Sequence, residues 1–153
     1  MGNRQEPSKQ FMQPTAIERI FNRLFGFIVR LGFGQKDNYM LEVQGRKTGR
    51  TYSTPVYVLE QNGTKYIVAP RGYTQWVRNV LSSGEAQLVK GRRREKIELQ
   101  AIADNEKPEI LKAYLDRYKT TVQRYFPVNA GSPVAAFQPL AAQYPIFKVM
   151  TLD

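Results

Sequence analysis

Ile17, Ile20, Phe21, Leu24, Phe25 and Ile28 recur at the i, i+3, i+4 spacing of one helical face, while Glu18, Arg19, Asn22, Arg23 and Arg30 fall elsewhere. The pattern predicts an amphipathic helix from Thr15 to about Leu31, within a segment 15–33. Thr15 and Glu18 can form a capping box at its start, and Gly32 and Gly34 mark its end. The period then changes from helical to alternating. Tyr39, Leu41 and Val43 share one face of a strand that runs into Gly45-Arg46-Lys47-Thr48-Gly49-Arg50. A second strand is expected from Tyr52 to Glu60. Asn62-Gly63 suits a type I′ turn, so Thr64 to Ala69 should return antiparallel and complete a three-strand meander. Pro55 has no amide to give to a ladder, which places it at an edge or a bulge.

Trp76, Val77, Val80 and Leu81 make a short helical stripe between Thr74 and Ser83, with Thr74 as cap and Gly84 as stop. Glu85 to Lys90 and Arg94 to Ala103 flank Gly91-Arg92-Arg93 and read as a hairpin with one buried face. Pro108 sits in the first turn of a helix over 106–119, whose stripe is Ile110, Leu111, Tyr114, Leu115 and Tyr118. Four prolines between Phe126 and Pro145 predict mostly loop, followed by a last strand from Ile146 to Leu152 within 145–152. Six strands joined by hairpins favour an antiparallel sheet, which closes most economically as a small barrel with helices outside. Leu41, Val43, Val56, Val58, Ile67, Leu88, Ile97, Leu99 and Val149 would fill it. The expected organisation is a flexible segment 1–14 and one domain over 15–153, with the barrel strands in 39–103.

With 153 residues the chain has room for one core of ordinary size, and 17 Tyr and Phe argue against wholesale disorder. Cysteine and histidine are both absent. That removes disulfides, thiolate nucleophiles, Cys/His zinc sites and Ser-His or Cys-His catalytic pairs, and no metal is expected. The net charge of +10 favours an anionic partner. Met1 to Pro14 is polar and lacks the apolar run of a signal peptide, and the charges in 17–33 interrupt any membrane span. A cytoplasmic protein is expected, with peripheral membrane contact through 15–33 as an alternative.

Gly45-Arg46-Lys47-Thr48-Gly49-Arg50 puts three cations, a hydroxyl and two glycines into one tight connection, a composition suited to cradling a phosphate and equally to a solvated turn. It lacks the spacing and the following helix of a nucleotide-binding P-loop. Ala69-Pro70-Arg71-Gly72-Tyr73 ends a strand just before the Thr74 helix, so Arg71 and the first helical amides could meet an anion. Trp76 and Asn79 stand three apart on that helix. Lys90 to Lys96 holds five cations in seven residues, most simply a solvated hairpin tip.

In this order, Gly45 to Arg50, Thr54-Pro55-Val56, Tyr66 to Gly72 and Trp76-Val77-Arg78-Asn79 resemble the deazaflavin-dependent nitroreductase family, also described as F-420-dependent quinone reductases. The likeness runs from about Leu41 through Lys96. It implies a split β-barrel of the flavin-reductase, FMN-binding type that binds reduced F-420 and passes its hydride to quinones, nitroaromatics or similar acceptors. It also implies a homodimer. Carried over, Arg46, Lys47, Thr48 and Gly49 would hold the cofactor's phosphate or acidic tail, with Thr54 and Pro55 as the adjacent wall. Ala69, Pro70, Arg71 and Gly72 would approach the ring, and Trp76 and Asn79 would shape the pocket behind it. Tyr57, and secondly Tyr73, would serve the acceptor's proton or oxyanion. Family members often carry His-Pro-x-Trp-Tyr where this chain has Tyr73-Thr74-Gln75-Trp76-Val77. FMN or FAD in place of F-420 is the nearer alternative. A basic barrel binding single-stranded nucleic acid is the farther one, disfavoured because the cations sit in turns rather than among strand aromatics.

Overall fold

A computed structural model describes residues 36–152, so the segment 1–14 and the helix expected over 15–33 lie outside the described residues. Strand β1 (Asn38–Gln44) pairs along its whole length with β2 (Thr51–Tyr57), Leu41 opposite Thr54 and Val43 opposite Tyr52. The expected second strand is not continuous. It breaks at Val58 and resumes as β3 (Leu59–Gln61), which pairs with β4 (Thr64–Val68). Four consecutive residues, Val56 to Leu59, are buried at the break, so both faces of the chain are covered there. The Val58 amide leaves the ladder and donates to the Asp37 carbonyl at 2.9 Å. At the β3–β4 turn Asn62 and Gly63 have φ of 53° and 81°, the two left-handed residues a type I′ turn needs.

Helix α1 (Gln75–Ser83) follows, then β5 (Glu85–Lys90) and β6 (Arg93–Ala101), helix α2 (Lys107–Val122) and β7 (Ile146–Thr151). All pairings are antiparallel, in the order β2-β1-β5-β6-β7-β4-β3. The two outer strands, β2 and β3, are halves of one bent segment, so the sheet curls and its edges are joined by the chain itself. That is a split barrel of seven strands where six were expected, the extra one arising from the break at Val58. The meander is corrected in the same way: β1–β2 forms one end of the strand order and β3–β4 the other. Pro55 lies in β2, an outer strand of the order, where a residue without an amide is tolerated.

Leu41, Val43, Val56, Val58, Ile67, Leu88, Ile97 and Leu99 form one buried cluster with Phe147 and with Val77 and Val80 of α1, and Val149 packs against it. Each large side chain so placed contributes about 1.5–3 kcal/mol. Helix α2 runs past the expected end near Lys119 to Val122, through a distorted Tyr118 at φ −113° and ψ 26°. The proline-rich stretch expected as loop is a 3-10 helix over Val134–Gln143, which buries Phe137 and Leu140. Lys107, 3 % exposed at the start of α2, ties this segment down by donating to the Ala141 carbonyl at 3.1 Å, with its charge met by Asp104 at 2.9 Å.

Candidate functional site

The 45–50 loop closes on itself. Gly49 donates to the Gly45 carbonyl at 2.9 Å and Gly45 to the Arg50 carbonyl at 2.7 Å. Gly45 lies beneath the Tyr52 ring: a β-carbon there would stand 2.6 Å from Tyr52 Cε2 and 2.8 Å from Thr48 Oγ1, so any larger residue would have to displace those side chains. Thr48 is engaged within the loop, its hydroxyl accepting from the Arg50 amide at 3.1 Å and meeting the Tyr52 hydroxyl at 3.2 Å. Arg46 crosses to α1. Its amide donates to Asn79 Oδ1 at 3.1 Å, and its Nη1 donates to Asn79 Oδ1 at 2.8 Å and to Gln75 Oε1 at 3.1 Å. Lys47 and Arg50 are exposed and have no ion pair or hydrogen-bonded side-chain partner among the described residues. The loop therefore presents uncompensated positive charge beside the amino-terminal turns of α1.

Because β4 ends where β7 begins, the 69–74 segment leaves the barrel at the Pro145 end, and the Ala69 amide donates to the Pro145 carbonyl at 2.9 Å. Gly72 turns back to the Ala69 carbonyl at 3.2 Å, and the Thr74 amide follows onto the Gly72 carbonyl at 2.9 Å. Pro70 is half-buried, Arg71 is exposed, and Tyr73 is 50 % exposed. Thr74 starts α1 without a side-chain cap, and its hydroxyl oxygen is buried without a hydrogen-bond partner. Trp76 and Asn79 part company. The indole packs on the barrel core with its ring 6.0 Å from Phe147, whereas Asn79, 5 % exposed, faces the loop. Thr54 and Pro55 take opposite faces of β2, since Thr54 pairs with buried Leu41 and Pro55 with Met40. Gln75, which the sequence reading passed over, belongs with Asn79: four residues apart on one helix, they share a face.

Tyr57 stands elsewhere. Its ring stacks on Tyr118 at 3.8 Å, with Tyr114 edge-on at 6.3 Å, and its hydroxyl is 2.9 Å from Thr121 Oγ1. Tyr118 in turn donates to Asp37 Oδ2 at 2.7 Å, which also accepts from Arg117 at 2.8 Å. Burial pushes the Tyr57 and Tyr114 phenols up from their ordinary range, and burial with the Asp37 bond does the same to Tyr118. A phenol whose native pKa is raised holds its proton more tightly folded than unfolded. Its contribution is therefore complete below about pH 10, the unfolded value, and is lost as pH rises above it. Stability is expected to fall above pH 10 by up to about 1.4 kcal/mol per pH unit for each such tyrosine. Urea titrations at stepped alkaline pH check this, and a flat stability profile up to pH 11 would contradict it.

A cleft of about 260 Å3 lies along β1, β5 and β6 and reaches the loop only at Gln44 and Thr51. None of the candidate residues lines it, and its charged lining is mixed, with Glu42 and Glu85 beside Lys96. The charged loop, the 69–74 turn and the start of α1 remain the chemically distinctive place.

Comparison with known structures supports the fold. A candidate 5-nitroimidazole antibiotic resistance protein from Bacteroides thetaiotaomicron is 13 % identical, with 86 % of this chain and 80 % of that chain aligned at a TM-score of 0.50. A protein of unknown function from Agrobacterium tumefaciens is 16 % identical, with 75 % and 48 % aligned at 0.53. A chain described as a domain-swapped dimer is 18 % identical, with 94 % and 98 % aligned at 0.51. No curated protein matches the sequence. The family model of the F-420H2-dependent quinone reductases matches residues 17–132, about three quarters of the chain and the whole of the loop, turn and α1 just described. The chain therefore belongs to the F-420H2-dependent quinone reductase family, and it is an F-420-dependent oxidoreductase.

Proposed function

We propose that the protein accepts reduced F-420 with its anionic tail on the 45–50 loop and passes a hydride to quinones, nitroaromatics or related acceptors. The observation that carries this reading is the loop itself: Arg46 is anchored on α1 while Lys47 and Arg50 stay unpaired. The residues present suit such a group. Its tail carries phosphate and carboxylates, for which guanidinium and ammonium donors are the matching partners. The buried, unpartnered Thr74 hydroxyl at the start of α1 leaves one further polar atom to be satisfied there.

When bound, the cofactor supplies the hydride, so the chain's own residues have only to bind, orient and exclude. Arg46, Lys47 and Arg50 neutralise the tail, Thr48 and Gly49 keep the loop in shape, and Thr54 and Pro55 continue the wall. Ala69, Pro70, Arg71 and Gly72 form the turn facing the ring, backed by Trp76 on the core. Tyr73 is the better placed tyrosine for the acceptor, being exposed on that turn, whereas the Tyr57 hydroxyl is engaged with Thr121 in the aromatic cluster. Its phenol O–H serves there as a hydrogen-bond donor to a developing oxyanion. FMN or FAD in the same cradle is the second cofactor reading. The domain-swapped relative supports a homodimer for this chain. Among the described residues no helix is long and apolar enough to cross a membrane, and contact through 15–33 lies outside them. Burial of Tyr57, Tyr114 and Tyr118 in the helix-packed cluster supports a small-molecule site over nucleic acid stacking.

Anaerobic mixing of the protein with reduced F-420 and a panel of quinones and nitroaromatics tests the reading. Acceptor-dependent reoxidation is expected, about fivefold slower in Tyr73→Phe, as loss of one hydrogen bond of about 1 kcal/mol implies, and within about twofold of wild type in Tyr57→Phe. No reoxidation above the protein-free rate with any acceptor would reject it.

A further inference from the structure

The hydrogen bonds inside the 45–50 loop fix its shape, but among the described residues those that fix its place against α1 all come from Arg46. Two of the three end on a single atom, the Oδ1 of buried Asn79, which takes both the backbone amide and the guanidinium of the same residue. Gln75 takes the other proton of that guanidinium nitrogen. Arg46 has five N–H donors, so Nε and Nη2 keep three for a ligand. Both acceptors are neutral amides. A carboxylate at either place would hold Arg46 as well or better, and would cancel its charge.

We infer that Asn79 is a positioning residue that clamps Arg46 without neutralising it, so that the loop meets an anionic cofactor tail already ordered and still fully charged. The inference deepens the reading of this loop as the tail's cradle and rests on it. The family resemblance implies that Asn79 shapes the pocket behind the ring; its contacts with Arg46 add a role toward the loop. A loop ordered in advance loses less conformational freedom on binding, and the retained charge keeps the attraction long-ranged.

The two halves of this role separate in two variants. Asn79→Ala removes the acceptor, and Asn79→Asp keeps an acceptor of the same shape but adds the charge that the wild type avoids. Trypsin reads loop order without any cofactor, because Arg46, Lys47 and Arg50 are its cleavage sites. Fluorescence titration with F-420 at low salt reads affinity, and thermal melting checks the fold. In Asn79→Ala the loop is expected to be cut at least tenfold faster, with affinity down about tenfold. In Asn79→Asp cutting stays at the wild-type rate while affinity still falls about tenfold, with a weaker dependence on salt. Wild-type cutting in Asn79→Ala would overturn the clamp, and so would wild-type affinity in Asn79→Asp for the charge-sparing part. Should Asn79→Ala fail to fold, Gln75→Ala replaces it in the proteolysis arm, where faster cutting supports the clamp and an unchanged rate counts against it. If the wild type binds no F-420, the proposed function fails while the trypsin comparison still decides the clamp.

Discussion

Replacing Arg46 and Lys47 together with alanine is expected to weaken F-420 binding about 100-fold at low salt, with little change in thermal stability. Both side chains are on the surface, and the substitution removes one guanidinium with free donors and one ammonium that has no partner in the protein. A hydrogen bond to a charged group contributes about 1.5–3 kcal/mol. Two such contacts at the lower end, reduced for solvent exposure, give about 2.8 kcal/mol, or two factors of ten. The loss should shrink as salt is added, because screening weakens the wild-type attraction most. Stability should hold because the loop's internal bonds, Gly49 to Gly45 and Gly45 to Arg50, use backbone groups that the substitution leaves in place. Isothermal titration or cofactor fluorescence at two salt concentrations provides the test. An unchanged dissociation constant would remove the loop from the cofactor site.

Phe147→Ala is expected to be the most damaging single change in the barrel. Phe147 is 1 % exposed, pairs across β7 with Ile67 and Ala101, and holds the Trp76 indole at 6.0 Å. A buried Phe→Ala substitution costs about 3–5 kcal/mol, against a total of about 5–15 kcal/mol for a domain. Taking about 2 kcal/mol per molar for the denaturant slope, the urea midpoint should drop by about 2 M. The cavity would open directly beneath α1. Residual binding of F-420 should therefore weaken as well, since Asn79 and Gln75 ride on the helix whose Trp76 has lost its support. A midpoint shift below about 0.5 M would show that the core at α1 can collapse around the gap.

The barrel was legible because its strands obey period 2 where one face alone is buried. Leu41, Val43, Ile97 and Leu99 alternate with solvated neighbours, and they occupy the core as the alternation predicts. The break at Val58 was not legible for the opposite reason. From Val56 to Leu59 the chain passes from the barrel interior to the aromatic cluster on α2, so both faces are apolar and no alternation marks the bend. The 3-10 helix over Val134–Gln143 carries Pro139 inside it, and its prolines read as loop because they conceal the remaining periodicity. In the site, the cationic loop announced itself by composition. Its anchor did not, since Arg46 and Asn79 are 33 residues apart and each is an ordinary residue for its element. Helical spacing allows Trp76 and Asn79 to face the same space, but an offset of three residues leaves them about 60° apart around the axis, enough to send one to the core and the other to the loop.

The central claim is that this barrel selects a deazaflavin through the 45–50 loop, and the most direct test is a fluorescence titration of the wild-type protein with F-420, FMN and FAD in parallel. The expected result is micromolar binding of F-420, at least tenfold tighter than that of either flavin, and lost on replacing Arg46 and Lys47. Equal or tighter binding of FMN or FAD, or F-420 binding that survives loss of both cations, would contradict it.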